Sequence, residues 1–191
     1  MIQIRPARPP DAVAIAAVHV AVWRSAYADI LPADYLAQLS VSRHAAHYVG
    51  AIRATGGVMV ATASGEDAPP GSGPRIVGFA TVGRGRRFAN PLADGEIETL
   101  YVLEDWREQG IGRALVRAAG AHLRDIGCQS AFLWVLRENP SRWFYQRLGG
   151  KVAMDAEIRV GGKTVMQTAY VWDPIDRLLA ESESQSGEGE P

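Results

Sequence analysis

Glu96-Ile97-Glu98-Thr99-Leu100-Tyr101-Val102-Leu103-Glu104-Asp105-Trp106-Arg107-Glu108-Gln109-Gly110-Ile111-Gly112-Arg113-Ala114-Leu115 reads as a strand that enters a glycine-rich turn and then opens a helix. Such a turn makes an anion hole. Gly110 and Gly112 remove side chains where the helix starts, so the unpaired N–H groups of its first turn and the positive end of its dipole can close on a phosphate. Arg107 and Arg113 place full positive charge beside it. The run supplies the first two glycines of a dinucleotide fingerprint and not the third, and no Gly-Lys-Ser/Thr follows as a P-loop requires. Neither nucleotide pattern fits.

Arg107-Glu-Gln-Gly110-Ile-Gly112 resembles the Q/R-x-x-G-x-G/A pyrophosphate loop of the GNAT superfamily of N-acyltransferases, which use acetyl-coenzyme A. Flanking segments extend the resemblance. Gly95 to Val102 is similar to the superfamily's fourth strand. Leu133 to Gly150, with Asn139, Phe144-Tyr145 and Gly149, is similar to its strand, Asn, helix and Phe-Tyr segment. Ile4-Arg5-Pro6-Ala7, Asp11, Trp23, Tyr27, Leu31-Pro32 and Tyr35-Leu36 look like the first strand and helices of a bacterial subgroup. The resemblance implies a mixed, mostly antiparallel central sheet flanked by helices, α/β in class or α+β by stricter criteria.

The elements expected from periodicity and turn residues agree with that class. They are a strand at about 2–5, an almost wholly apolar helix at about 10–28, one or two short helices at about 32–53, and strands at about 57–63 and 75–82. A strand at about 94–103 feeds a helix at about 111–126, on which Ile111, Leu115, Val116, Ala119, Leu123 and Ile126 recur at helical spacing. A strand (about 129–136), a helix (about 140–148) and two strands (about 151–160 and 163–172) joined by Gly161-Gly162 complete it. Residues 64–74 are dense in turn formers and read as an excursion. Residues 1–175 are expected to form one domain and residues 176–191 an acidic, disordered tail.

At 191 residues with 47% apolar side chains the chain suits a single globular core, and a net charge of −1 gives no field to recruit nucleic acid or an anionic membrane. The single cysteine, Cys128, cannot form an intrachain disulfide and fits a reducing compartment. A secretory leader is suggested by Arg5 and Arg8 before the apolar run from Ala12 to Trp23. Asp11 and His19 interrupt that pattern, and Ile2-Gln3-Ile4-Arg5 alternates as a strand does, so the expected location is the cytoplasm.

The resemblance supplies roles for individual residues. The backbone from Arg107, Glu108, Gln109, Gly110, Ile111, Gly112, Arg113 to Ala114 would wrap the pyrophosphate, and Tyr101, Val102 and Leu103 would pair with the pantetheine amides. Asn139 either caps the helix that Pro140 begins or also contacts the pantetheine arm. Tyr145 would protonate the departing thiolate, which suits a phenol; the alternative is a boundary aromatic beside a core face made by Phe144 and Leu148. Strand alternation puts Glu96 and Glu98 on one face. Glu96, fourteen residues before Gly110, is the first choice for the base that takes the amine proton, with Glu98 second.

The acceptor is less legible. Trp23, Tyr27 and Tyr35 either line a cation-holding pocket or pack in the core. Arg84, Arg86 and Arg87 either grip an acidic group or sit in a solvated turn. Relatives that act on protein N-termini carry a Glu where this chain has Trp134, which counts against a ribosomal-protein substrate, and Gly150 stands where the family usually has Phe. His44 and His47 lie one helical turn apart without the further ligands a zinc site needs, so no metal is expected. The resulting expectation is acetyl transfer from acetyl-CoA to a small-molecule or protein amine by direct attack, with a homodimer open. The competing expectation is a coenzyme A-binding sensor that has kept the clamp and lost turnover; the presence of both Glu96 and Tyr145 argues against it.

Overall fold

The computed structural model describes residues 1–55, 57–64, 74–85 and 92–180. Arg86, Arg87, most of the 64–74 excursion and residues 181–191 lie outside them. The elements run β1 (Ile2–Pro6), α1 (Ala12–Ala26), α2 (Ala33–Ala37), α3 (Val41–Thr55), β2 (Val58–Ala63), β3 (Arg75–Arg84), β4 (Gly95–Val102), α4 (Ile111–Asp125), β5 (Ala131–Leu136), α5 (Arg142–Arg147), β6 (Lys151–Val160), β7 (Lys163–Trp172) and α6 (Asp176–Leu179). The seven strands form one sheet in the order β1-β2-β3-β4-β5-β7-β6. Every neighbouring pair is antiparallel except β4 and β5.

Two apolar layers sandwich the sheet. On one face α4 buries Ile111, Leu115, Val116, Ala119 and Leu123 against Val77, Val82, Ile97 and Leu133, the stripe that its 3.6-residue spacing marks out. On the other face Ile15, Val18 and Val22 of α1 and Tyr48 and Ile52 of α3 cover Val58, Val60 and Phe79. Asp11 fixes the entry to α1: its carboxylate accepts from the Arg8 N–H at 2.7 Å and from both terminal nitrogens of Arg5 at 2.7 and 3.0 Å. The Arg5 guanidinium holds that carboxyl below the usual carboxylate range.

Three expectations change. The segment after α2 is a fifteen-residue helix, α3, rather than a short one. The tail does not begin at 176, because Asp176–Leu179 is helical and Leu178 is 3% exposed in the α4 layer. Tyr145 is the buried residue of α5, while Phe144 and Leu148 pack, partly buried, against the same core as expected. Its ring lies between Phe144, Tyr170 and Trp172, so the core face of α5 is wider than expected and takes in Tyr145.

Gly150 has a packing reason. The buried indole of Trp172 fills the space beside it and donates from Nε1 to the Leu148 carbonyl at 2.8 Å. A Cβ on residue 150 would stand 2.7 Å from Trp172 Cζ2 and 2.9 Å from the Tyr145 carbonyl oxygen. Trp172 thus leaves no room for a side chain at residue 150. Gly150→Ala is expected to lose about 2 kcal/mol or more to overpacking, seen in a thermal melt as a Tm lowered by about 4–8 °C. An unchanged Tm would mean that Trp172 repacks freely.

His19 is the polar exception on apolar α1. It is buried, its Nδ1 lies 2.6 Å from the Tyr48 hydroxyl, and its ring stacks on His44 at 4.1 Å. Burial, with His44 and His47 nearby, holds its pKa down to about 3. The unfolded chain binds a proton there first, so stability is full above the ordinary histidine pKa of about 6.5 and is lost as pH falls from there toward the folded value. Chemical denaturation at about pH 7 and pH 5 should differ by roughly 1–2 kcal/mol more in the wild type than in His19→Phe.

Candidate active site

The site is built on a divergence in the sheet. β4 and β5 are in register only at Gly95↔Ala131 and Glu96↔Phe132, and beyond that point the two parallel strands separate. The gap opens into a cleft of 680 Å³ whose wall includes Ile97 to Val102 of β4 and Leu133 to Leu136 of β5. Unpaired strand edges in such a gap can bond to an extended ligand as strand pairs with strand.

The glycine-rich turn closes one part of this cleft. Gly110 is the N-cap of α4 with φ +76°, a left-handed conformation that costs a side chain strain and costs glycine little. The first bond of the helix runs from the Ala114 N–H to the Gly110 carbonyl at 3.0 Å, so the N–H groups before Ala114 precede the helical ladder. Arg107, Glu108, Gly110, Gly112 and Arg113 all line the cleft. Ile111 instead is 2% exposed and anchors the turn in the core, and the Gln109 side chain donates to the Asp105 carbonyl. Ala114 and Leu103 are likewise not among the lining residues, whereas Tyr101 and Val102 are.

Of the two carboxylates, the structure brings Glu98 to the cleft. Glu96 is half-buried at the closed end of the divergence, paired in register with Gly83 and Phe132, and is not among the lining residues. The cause is a β-bulge. β3 pairs Thr81 with Thr99 and Val82 with Ile97, skipping Glu98, and such an extra residue re-aims its side chain. Ile97 turns into the α4 layer while Glu98 stays exposed.

Tyr145 and Asn139 meet the cleft from the α5 side. Burial raises the Tyr145 phenol above its ordinary range, with Tyr27 adding to the shift, so the hydroxyl keeps its proton. Asn139 serves as a cap for the turn leading into α5: its Oδ1 accepts from the Ser141 N–H at 2.9 Å, and its Nδ2 donates to the Tyr27 hydroxyl at 3.2 Å. That second bond ties α5 to α1 and holds Tyr27 at the cleft wall.

Trp23 and Tyr27 line the cleft, and Trp23 Nε1 donates to the Tyr101 hydroxyl at 2.9 Å. Tyr35 does not line it. Its ring sits on the β6–β7 turn, where a Cβ at Gly161 would come within 2.5 Å of Tyr35 Cγ, so Tyr35 braces the hairpin rather than a ligand. Arg84 is also accounted for, because its guanidinium donates to the Ile126 carbonyl at the C-terminal end of α4. Among the described residues no three His, Cys, Asp or Glu side chains group as metal ligands would, and no helix is long and apolar enough to cross a membrane. Cys128 is buried, and burial pushes its thiol pKa up, away from nucleophilic use.

Among the lining residues that sequence reasoning did not select are Trp134, Phe144 and Arg147, with Ile158, Val160 and Gln167 from the final hairpin. Trp134 stood out only as a departure, and nothing local marks a hairpin residue as facing a cleft that another part of the chain opens.

The model of the Acetyltransferase (GNAT) family matches residues 15–150. Over 178 residues, 93% of this chain and 96% of the relative, the sequence is 32% identical to the uncharacterized N-acetyltransferase YuaI of Bacillus subtilis (strain 168). Over 129 residues, 66% of this chain and 70% of the relative, it is 32% identical to the aminoglycoside N(6')-acetyltransferase type 1 of Stenotrophomonas maltophilia. The fold matches that of yncA from Salmonella typhimurium, solved with its cofactor acetyl-CoA, with a TM-score of 0.65 at 19% identity, covering 97% of this chain and 98% of that one. Divergent parallel strands, a glycine-opened helix and kinship along nearly the whole sequence converge, and this chain belongs to the Acetyltransferase (GNAT) family as an acyltransferase.

Proposed function

We propose that the protein moves the acetyl group of acetyl-CoA to a primary amine by direct attack within a ternary complex. The observation that carries this reading is that residues of the α4 N-terminus, Glu98 and Tyr145 all line one cleft between β4 and β5. In the proposed reaction the start of α4, with Arg107 and Arg113, holds the pyrophosphate of acetyl-CoA. Val102 and its neighbours pair with the pantetheine amides, and Asn139 lies along the same path. Glu98 replaces Glu96 as the preferred base. It takes a proton from the ammonium, directly or through water, and the neutral amine attacks the thioester carbonyl carbon. A C–N bond forms as the C–S bond breaks, Tyr145 protonates the sulfur, and the second proton, lost by the acylated nitrogen, returns through water to the phenolate. One proton is released per turnover. A buried cysteine and a reducing, cytoplasmic setting accord with this scheme.

The test is thiol release from acetyl-CoA across a panel of amines, with calorimetry to follow coenzyme A binding. Coenzyme A binding without release on any amine would favour the sensor. The base is tested by pH. Glu98→Gln should lose most turnover at low pH and recover part of it as pH rises, because an amine that arrives neutral needs no base. Glu96→Gln should keep the wild-type profile. If the profiles are exchanged, Glu96 is the base and the bulge only shapes the cleft.

A further inference from the structure

Besides the residues at the start of α4, the cleft is lined by Trp23 of α1 and Tyr27 just after it, Trp134 of β5, and Ile158 and Val160 of β6, and by Glu98 of β4. The polar atoms of the first two aromatics are already engaged. Trp23 Nε1 is bonded to Tyr101, and the Tyr27 hydroxyl receives the Asn139 amide. What Trp23 offers a ligand is therefore the carbon of its ring. Trp23 and Tyr27 pack edge to face with centroids 5.1 Å apart, which leaves a firm apolar wall rather than a collapsible one.

The charges of the cleft are divided. Glu98 and Glu108 are its acidic lining residues among those described, against Arg107, Arg113 and Arg147. Glu108 belongs with Arg107 to the turn before α4, and Arg113 to the first turn of α4, so Glu98 is the one described carboxylate among the other lining residues. A polycation desolvated there would need a carboxylate for each of its ammonium groups, because an unpaired buried charge is costly. Among the described residues the site meets that need once, at Glu98. A single ammonium suits it, held by Glu98 and by the ring faces, with the rest of the molecule against the apolar wall.

We infer that the acceptor is a monoamine carrying an apolar, largely flat body, and not a polycation of the aminoglycoside or polyamine kind. This rests on the transferase reading given above and narrows its substrate. The amine nitrogen gains the acetyl carbon, the sulfur gains a proton, and no further reactant is required.

The experiment compares kcat/KM for phenethylamine, tryptamine, ethanolamine, spermidine and kanamycin with saturating acetyl-CoA, alongside calorimetry of coenzyme A. The aromatic monoamines should exceed ethanolamine by roughly 50-fold, the worth of burying one aromatic side chain, and should exceed spermidine and kanamycin by at least as much. Trp134→Ala should raise KM for phenethylamine by about 10-fold while coenzyme A affinity holds. Equal or better use of ethanolamine, spermidine or kanamycin overturns the substrate class and leaves the transferase standing. Thiol release with none of the amines, with coenzyme A still bound, overturns the transferase reading and the class with it. The wild-type panel decides the matter even if the Trp134 variant does not fold.

Discussion

Gly112→Asp is expected to bind acetyl-CoA and coenzyme A at least about 100-fold more weakly than the wild type, as the loss of one or two charge-assisted hydrogen bonds implies. A carboxylate at the second residue of α4 would itself occupy the positive end of the helix, where aspartate is favoured, and would repel the phosphate that the site is built to take. Bulk and charge can be separated. A Cβ at residue 112 would lie 3.4 Å from the Phe144 ring, an ordinary contact, so Gly112→Ala should fold normally and lose far less affinity than Gly112→Asp. Calorimetry with coenzyme A gives both numbers. If Gly112→Asp binds as tightly as the wild type, the phosphates do not lie at the α4 N-terminus and the clamp must be sought elsewhere in the cleft.

The glycine-opened start of α4 was legible because its information is local. Gly110, Gly112 and the apolar stripe of α4 lie within one stretch of chain, and turn chemistry and helical spacing need no partner to be read. Which glutamate lines the cleft was not, because the placing of Glu96 and Glu98 depends on the bulge between β3 and β4, and a register shift belongs to the pair of strands rather than to either sequence. Tyr145 shows the same limit. Its place in the core is set by Tyr170 and Trp172 of β7, beyond the reach of any pattern within α5. Tyr35 looked like a pocket aromatic beside Trp23 and Tyr27, and its ring does approach Trp23, yet it sits against Gly161 of the distant β6–β7 turn and does not line the cleft. The early start given to the tail was avoidable, since Leu178-Leu179 is an apolar pair within the supposed solvated segment and Leu178 packs against α4.

Tyr145→Phe is expected to lower kcat about 100-fold, the low end of what general acid catalysis contributes, with little change in coenzyme A affinity or in Tm. The low end is chosen because a thiolate with pKa near 8.5, like that of a free cysteine, is already a fair leaving group without a proton. The substitution removes one hydroxyl and keeps the ring that packs between Phe144, Tyr170 and Trp172, so the fold and the cofactor clamp should not register the change. An effect confined to kcat is what the loss of an interaction made only in the transition state produces. Burial holds the phenol protonated beyond its ordinary range, and the wild-type rate should therefore show no loss on the alkaline side from Tyr145 ionising below about pH 10. A fall in kcat/KM together with weaker coenzyme A binding would instead mark Tyr145 as part of the cleft's shape. Full turnover in the phenylalanine variant would leave water as the proton donor and Tyr145 as a core residue that borders the site.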